Sequence, residues 1–293
     1  MNRSSIVSIV LAGAVALSLP PLAAAQGNSQ KGRGVRPPKT SASSPVQPAG
    51  AGIRNFGAWL DDSSIVAPRS GWAGFSIGYV KSPFGRQFDM PSADVGYGLN
   101  RRVQVGFSMP YYRANYGGVP ARGLGDAFVN AKVNLVDATK SKRGFGMAVV
   151  PVLEILSGLP DGVSHGSWGL PVSAEIQQGP VRLYGAAGYF SRGAVFGSGA
   201  AEWALAPGYT VTGTLTDGYS LKADPFSDAL GLNRRRIDAS ASVSHALTSA
   251  IAAYGGMGRT LSRTDANSTR ISISGGIVML FSSPVPVRPR GPR

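Results

Sequence analysis

Cysteine is absent from this sequence, and histidine nearly so, with two in 293 residues. The first absence excludes a disulfide scaffold, a thiolate zinc site and a cysteine nucleophile. Charge is sparse as well. Asp, Glu, Lys and Arg make up 15% of the chain, against about 25% in ordinary soluble proteins. No apolar run reaches the roughly 20 residues of a membrane-spanning helix, and no segment between 71 and 281 has a convincing helical period. Such a composition is unlike that of a soluble α/β enzyme.

What is present is glycine, 40 residues of it, with 21 prolines, 43% hydrophobic residues and a net charge of +14. The N-terminus has the form of a secretory signal. Arg3 supplies the basic end, Ile6 to Leu19 is apolar, and Ala23-Ala24-Ala25 precedes Gln26 as a small-residue cleavage site. Residues 26–52 are rich in Pro, Gly and Ser and read as a disordered basic arm. Residues 282–293 read as a Pro/Arg-rich tail. The lead-in 53–70 holds Phe56, Trp59 and Leu60, interrupted by Asp61-Asp62, and fits a strand, a plug or a linker equally well.

From 71 to 281 the pattern is alternation. Val103, Val105, Phe107, Met109 and Tyr111 alternate with Arg102, Gln104, Gly106 and Ser108. Ile271, Ile273, Gly275, Ile277, Met279 and Phe281 repeat the phase at the other end. Period-2 alternation marks strands with two unlike faces. Twelve such segments begin near 71, 87, 102, 125, 144, 167, 181, 195, 208, 234, 249 and 269. Tyr254 and Arg259 do not keep one phase, which allows a bulge in that segment.

An even strand count, strands of about 10 residues and aromatic residues near segment ends predict a transmembrane antiparallel β-barrel in the outer membrane of a Gram-negative-type bacterium. Trp72, Tyr79, Tyr111, Tyr112, Trp168, Tyr189, Trp203 and Tyr209 are the expected girdle. Asn100-Arg101, Gln178 to Pro180, Ala206-Pro207 and the region of Thr248 fit short periplasmic turns. Arg113 to Leu124, Ser157 to Gly166, Leu221 to Asn233 and Ser262 to Ser268 fit longer outer loops. A secreted β-sandwich is the competing architecture, but its strands average about 5–6 residues.

Two features carry family resemblances. Ile277, Met279 and Phe281 in the last segment resemble the C-terminal signal that the barrel-assembly machinery reads, although twelve residues follow Phe281. The phrases GYGLNRRVQVGFSMPYY (Gly96 to Tyr112) and GLGDAFVNAKVNLVD (Gly123 to Asp137) resemble the transporter family linked to the phenol-degradation meta pathway. That resemblance implies a small outer-membrane barrel for uptake of aromatic compounds.

If the polar face points inward, the lumen carries Asp94, Arg102, Gln104, Asp126, Asn130, Lys132, Glu154, Glu175, Gln177, Arg182, Glu202, Arg236, Asp238 and Arg270. Both signs together suit paired networks filling a narrow barrel or lining a solute path. His165 and His245 lack a neighbouring serine motif, so an outer-membrane hydrolase ranks third, behind a channel and a closed structural barrel. The Glu154 and Glu175 carboxylates are explained equally well by ion pairing and by acid–base work. The sequence has no cofactor motif and no metal-ligand spacing.

The net charge divides unevenly. Residues outside 71–281 carry +8 and the barrel segment +6. Export argues against nucleic acid as the partner. The expected partners are outer-membrane lipids, a small-molecule solute and, through the basic arms, peptidoglycan carboxylates.

Overall fold

The computed structural model describes residues 62–282, apart from 117, 139–140, 142–143, 158–164, 223–231 and 266–267. The signal, the basic arm and the Pro/Arg-rich tail beyond Ser282 lie outside the described residues, as does the lead-in up to Asp61. The described residues form β1 (Ser70–Lys81), β2 (Gly85–Gly98), β3 (Val103–Tyr116), β4 (Val119–Leu124), β5 (Ala127–Val136), β6 (Phe145–Val149) and β7 (Val152–Ile155). The chain continues through β8 (Gly166–Gln178), β9 (Val181–Phe190), β10 (Ala194–Ala206), β11 (Tyr209–Ser220), β12 (Arg235–Ala246), β13 (Ile251–Thr260) and β14 (Ile271–Ser282).

Every pairing is antiparallel, and β1 pairs with β14 from Ser70↔Ser282 to Lys81↔Ile271, which closes the sheet on itself. Two of the twelve crossings are interrupted. β4 pairs with the far half of β3 and β5 with its near half, the break falling at Gly125-Asp126. β6 and β7 are parted at Val150-Pro151, where proline has no N–H to give the ladder. The result is a closed twelve-stranded antiparallel barrel.

The barrel has a turn end, where Ser70 and Ser282 lie side by side, and a loop end opposite. The turn-end links β8–β9 and β10–β11 are two residues each, whereas β5–β6 takes residues 137–144. Gly208 takes φ 79° between β10 and β11, a left-handed conformation for which glycine is suited.

The polarity of the fold is inverted relative to a soluble protein. On β11, Thr210, Thr212 and Thr216 are buried while Val211, Leu215 and Tyr219 are exposed. On β9, Arg182 is buried and Leu183 is 50% exposed. A contiguous apolar outer wall of this extent is stable only against lipid. Inside, apolar packing is confined to small clusters, such as Phe190 with Phe196 (ring centroids 5.9 Å apart), Ala186 and Ala194.

Several expectations need correction. Arg113 to Leu124 is not an outer loop but a continuation of the β3–β4 hairpin, paired from Tyr111↔Leu124 to Tyr116↔Val119. The β12–β13 register runs without a shift from Asp238↔Thr260 to Ala246↔Ala252. Tyr254 points inward over Gly276, whereas Arg259 is exposed on the outer face. The nearby bulge lies instead in β2, where pairing to β3 shifts between Asp89 and Ser92. Trp72 and Tyr112 are buried on the inner side and take no part in a girdle, while Trp168, Trp203 and Tyr209 are exposed on the outer one.

Candidate functional site: the lumen and the strap across its turn end

Strand alternation aims one side chain in two at the bore, so the inner surface follows directly from register. Of the fourteen residues expected there, Asp94, Gln104, Asp126, Lys132, Glu154, Glu175, Arg182, Glu202 and Arg236 are buried. Asn130, Gln177 and Asp238 are half-buried. Arg102 and Arg270 are exposed, at the turn-end and loop-end rims respectively. Arg102 belongs to the β2–β3 turn, where Asn100 Oδ1 accepts the N–H groups of Arg102 (2.8 Å) and Val103 (3.0 Å). Arg270 sits on the loop-end rim just before β14, its N–H donated to the Lys81 carbonyl (2.9 Å). Of the proposed terminal signal, Ile277 and Phe281 face outward on β14, and the Phe281 ring covers Gly71 across the β1–β14 seam.

Residues 62–69, the described end of the lead-in, form a strap that crosses the turn-end mouth from one wall to the other. Near β1 its Val66 packs with Trp72 and Val278 and donates its N–H to Gln104 Oε1 (2.9 Å). Midway, Asn134 Nδ2 donates to the Ser63 carbonyl (2.8 Å), and Lys132 Nζ donates to the Ser64 carbonyl (3.0 Å) and reaches Asp62 Oδ1 (3.4 Å). On the far wall Ser64 Oγ donates to Glu175 Oε1 (2.7 Å), and Ser173 Oγ donates to the Asp62 carbonyl (3.1 Å).

Arg182 is the hub of that wall. It forms an ion pair with Asp62, meets Glu175 Oε2 through Nη2 (2.7 Å) and Nε (3.0 Å), and reaches Glu202 Oε2 through Nη1 (3.4 Å). Its guanidinium lies 4.8 Å from the centroid of the Tyr184 ring. Buried charge is costly unless paired and hydrogen-bonded. Lys132 and Arg182 are balanced here against Asp62, Glu175 and Glu202, and the strap itself supplies one of the carboxylates.

A second polar cluster lies toward the loop end. Arg236 Nε donates to Asp238 Oδ1 (3.0 Å) and its Nη2 to Thr269 Oγ1 (3.1 Å). Thr260 Oγ1 donates to the same Asp238 oxygen (2.6 Å). Arg236 Nη1 has no hydrogen-bond partner. On β2, separated from β12 by β13, β14 and β1, Gln87 Nε2 donates to Asp89 Oδ1 (2.6 Å). Between the two clusters the inner wall of β14, β1, β2 and β3 is lined by hydroxyls, with Ser76 directly opposite Ser92 and Asp94 opposite Ser108.

Sequence reasoning did not find Gln87, Asp89 or the strap residues. The β2 bulge at Met90-Pro91 reverses parity, so odd positions face inward before it and even positions after it. A proline inside a strand was the available signal. For the strap the signal was a pair of aspartates closing an apolar stretch. The two histidines are far from acting together. His165 Nδ1 lies 2.8 Å from the Leu156 carbonyl, and His245 stacks on Tyr209 at the turn end with ring centroids 4.0 Å apart.

No family model matches the sequence, and no curated protein matches it. Solved structures do match in fold. The COG4313 outer membrane channel from Pseudomonas putida F1 superposes with a TM-score of 0.59 over 75% of this chain and 98% of that one, at 11% identity. The fold is that of an outer-membrane β-barrel. The NanC porin gives a TM-score of 0.52 over 71% of this chain and 98% of its own, at 9% identity. In outer-membrane barrels the chain termini and short turns face the periplasm and the longer loops face outward. On that rule the strap lies at the periplasmic mouth.

Proposed function

We propose that this barrel is a channel or facilitator for small solutes across the outer membrane, with hydrophobic or aromatic compounds as the preferred class. The observation that carries the reading is an inner surface that is mainly polar, lined by hydroxyl, carboxylate and guanidinium groups with only small apolar clusters among them. The two structural neighbours are described as a channel and a porin, which supports the same reading. The aromatic preference rests on the resemblance of Gly96–Tyr112 and Gly123–Asp137 to the phenol-pathway transporter family. A non-enzymatic role fits the separation of His165 from His245.

A second reading, a closed structural barrel, is favoured by the number of polar contacts that hold the strap across the mouth. Planar-bilayer recording separates the two. Discrete conductance steps from the wild type, enlarged in Asp62→Asn, are the expected result. Silence from both proteins favours the closed barrel. Uptake of a labelled aromatic acid by cells carrying or lacking the gene then tests the solute class.

A further inference from the structure

The outer face of the loop end is unevenly charged. Lys81 on β1 stands directly opposite Arg86 on β2, and Arg113 on β3 directly opposite Arg122 on β4. All four side chains are exposed, and their shared face is the lipid-facing one. Lys81 follows Ile77 and Tyr79 in phase, Arg113 is opposite Phe88, and Arg122 shares its face with Leu124. Among the described residues none of the four has an acidic partner within ion-pair distance.

Like charges directly opposite one another on neighbouring strands repel. Two such pairs side by side form a basic patch that calls for an external anion. Its support is rigid. Ser82 closes the β1–β2 hairpin by accepting the Gly85 and Phe84 N–H groups (3.0 and 3.2 Å). Asn115 Oδ1 accepts the Gly118 N–H (3.0 Å) in the β3–β4 hairpin. On the same face, Tyr79 stacks obliquely on Phe88 (4.9 Å between centroids) one step in from Lys81 and Arg86 and in the row of Arg113 and Arg122, with Tyr111 and Leu124 one step further in. Cations that flank and cap an aromatic and aliphatic surface at the loop-end rim suit a lipid whose headgroup meets the charges while its chains run along the apolar side chains.

We propose that Lys81, Arg86, Arg113 and Arg122 form a binding site for the phosphate groups of a phosphorylated glycolipid in the outer leaflet, whose acyl chains lie along Phe88, Tyr111 and Leu124. Guanidinium groups bind phosphate in forked, charge-assisted pairs, so the site favours a headgroup carrying more than one phosphate. The proposal depends on the barrel standing in the outer membrane with its loop end outward and is independent of whether the lumen conducts.

The test uses the full barrel in detergent, with bisphosphorylated lipid A, dephosphorylated lipid A or phosphatidylglycerol added, and counts retained lipid by native mass spectrometry. A cation near an anionic surface contributes about fivefold in affinity. Removing all four, as Lys81→Gln, Arg86→Gln, Arg113→Gln and Arg122→Gln together, should therefore lower retention of bisphosphorylated lipid A at least about tenfold. Dephosphorylated lipid A should be retained poorly by the wild type, and raised salt should weaken the phosphorylated adduct. The pair Arg113→Lys, Arg122→Lys keeps the charge and should retain most of the binding. Heat-modifiable migration checks that each variant is folded. Equal retention by the wild type and the fourfold variant would overturn the proposal, as would phosphatidylglycerol held as firmly as lipid A. A wild type that retains the lipid but shows no conductance would count against the channel reading alone.

Discussion

Arg182 meets Asp62, Glu175 and Glu202 in one water-poor space, and its side chain is 5% exposed. Replacing it with glutamine strands three carboxylates without their shared cation. Loss of one partner in a buried ion pair costs about 3–5 kcal/mol, so Arg182→Gln should lower the urea midpoint for loss of the heat-resistant gel band. Asp62→Asn should cost less, because Arg182 keeps its other two partners, and its main effect should be on conductance. Glycines at the inner wall separate in the same way. A Cβ on Gly96 would collide with the Trp72 indole, whereas one on Gly74 meets nothing closer than 3.6 Å. Gly96→Ala should therefore destabilise the barrel by about 1–3 kcal/mol, with Gly74→Ala near neutral in the same urea titration. The burial of nine of the expected lumen groups follows from alternation, since parity is all that inward placement requires. The partnership of Arg182 with Asp62 was not readable, because it joins residues 120 apart in sequence through a segment without periodicity.

Among the elements, strands with unbroken phase were the most legible. β11 and β14 present their apolar and polar faces without interruption, and a residue placed on one face could be assigned its surroundings. Leu215, at mid-strand on β11 and 54% exposed, faces lipid. Leu215→Arg should cost roughly 2–4 kcal/mol near the bilayer midplane, measurable as a fall in folded fraction in lipid vesicles. Phase was lost where the backbone departs from a flat ladder. The β2 bulge hid Gln87 and Asp89, and the break at Gly125-Asp126 made the far part of the β3–β4 hairpin read as loop. That second misreading concealed the alignment of Arg113 with Arg122, which only hairpin register discloses. β13 erred in the opposite sense. Its aromatic Tyr254 suggested irregularity, yet the ladder is regular because Gly276 on β14 leaves room for the ring.

For the molecule as a whole, closure and inverted polarity follow from composition. A low charged fraction and abundant glycine leave an outer wall that only lipid can cover and an inner wall where backbones and aromatic rings approach closely. The closing seam carries a separate consequence, for kinetics. Ser70 meets Ser282 and Lys81 meets Ile271, so the strands that complete the ring come from nearly opposite ends of the chain. Contacts of such sequence separation carry the largest loop-closure entropy and raise contact order. Hairpins such as β10–β11 can form while the seam is still open, and the seam is then absent from the rate-limiting transition state. Weakening it should accelerate unfolding and leave refolding almost unchanged. Val278→Ala, which thins the packing of Val66 on Trp72 beside the seam, should show this in stopped-flow refolding and unfolding in detergent. Equal slowing of refolding would instead place closure early, with the chain ends meeting before the hairpins between them are complete.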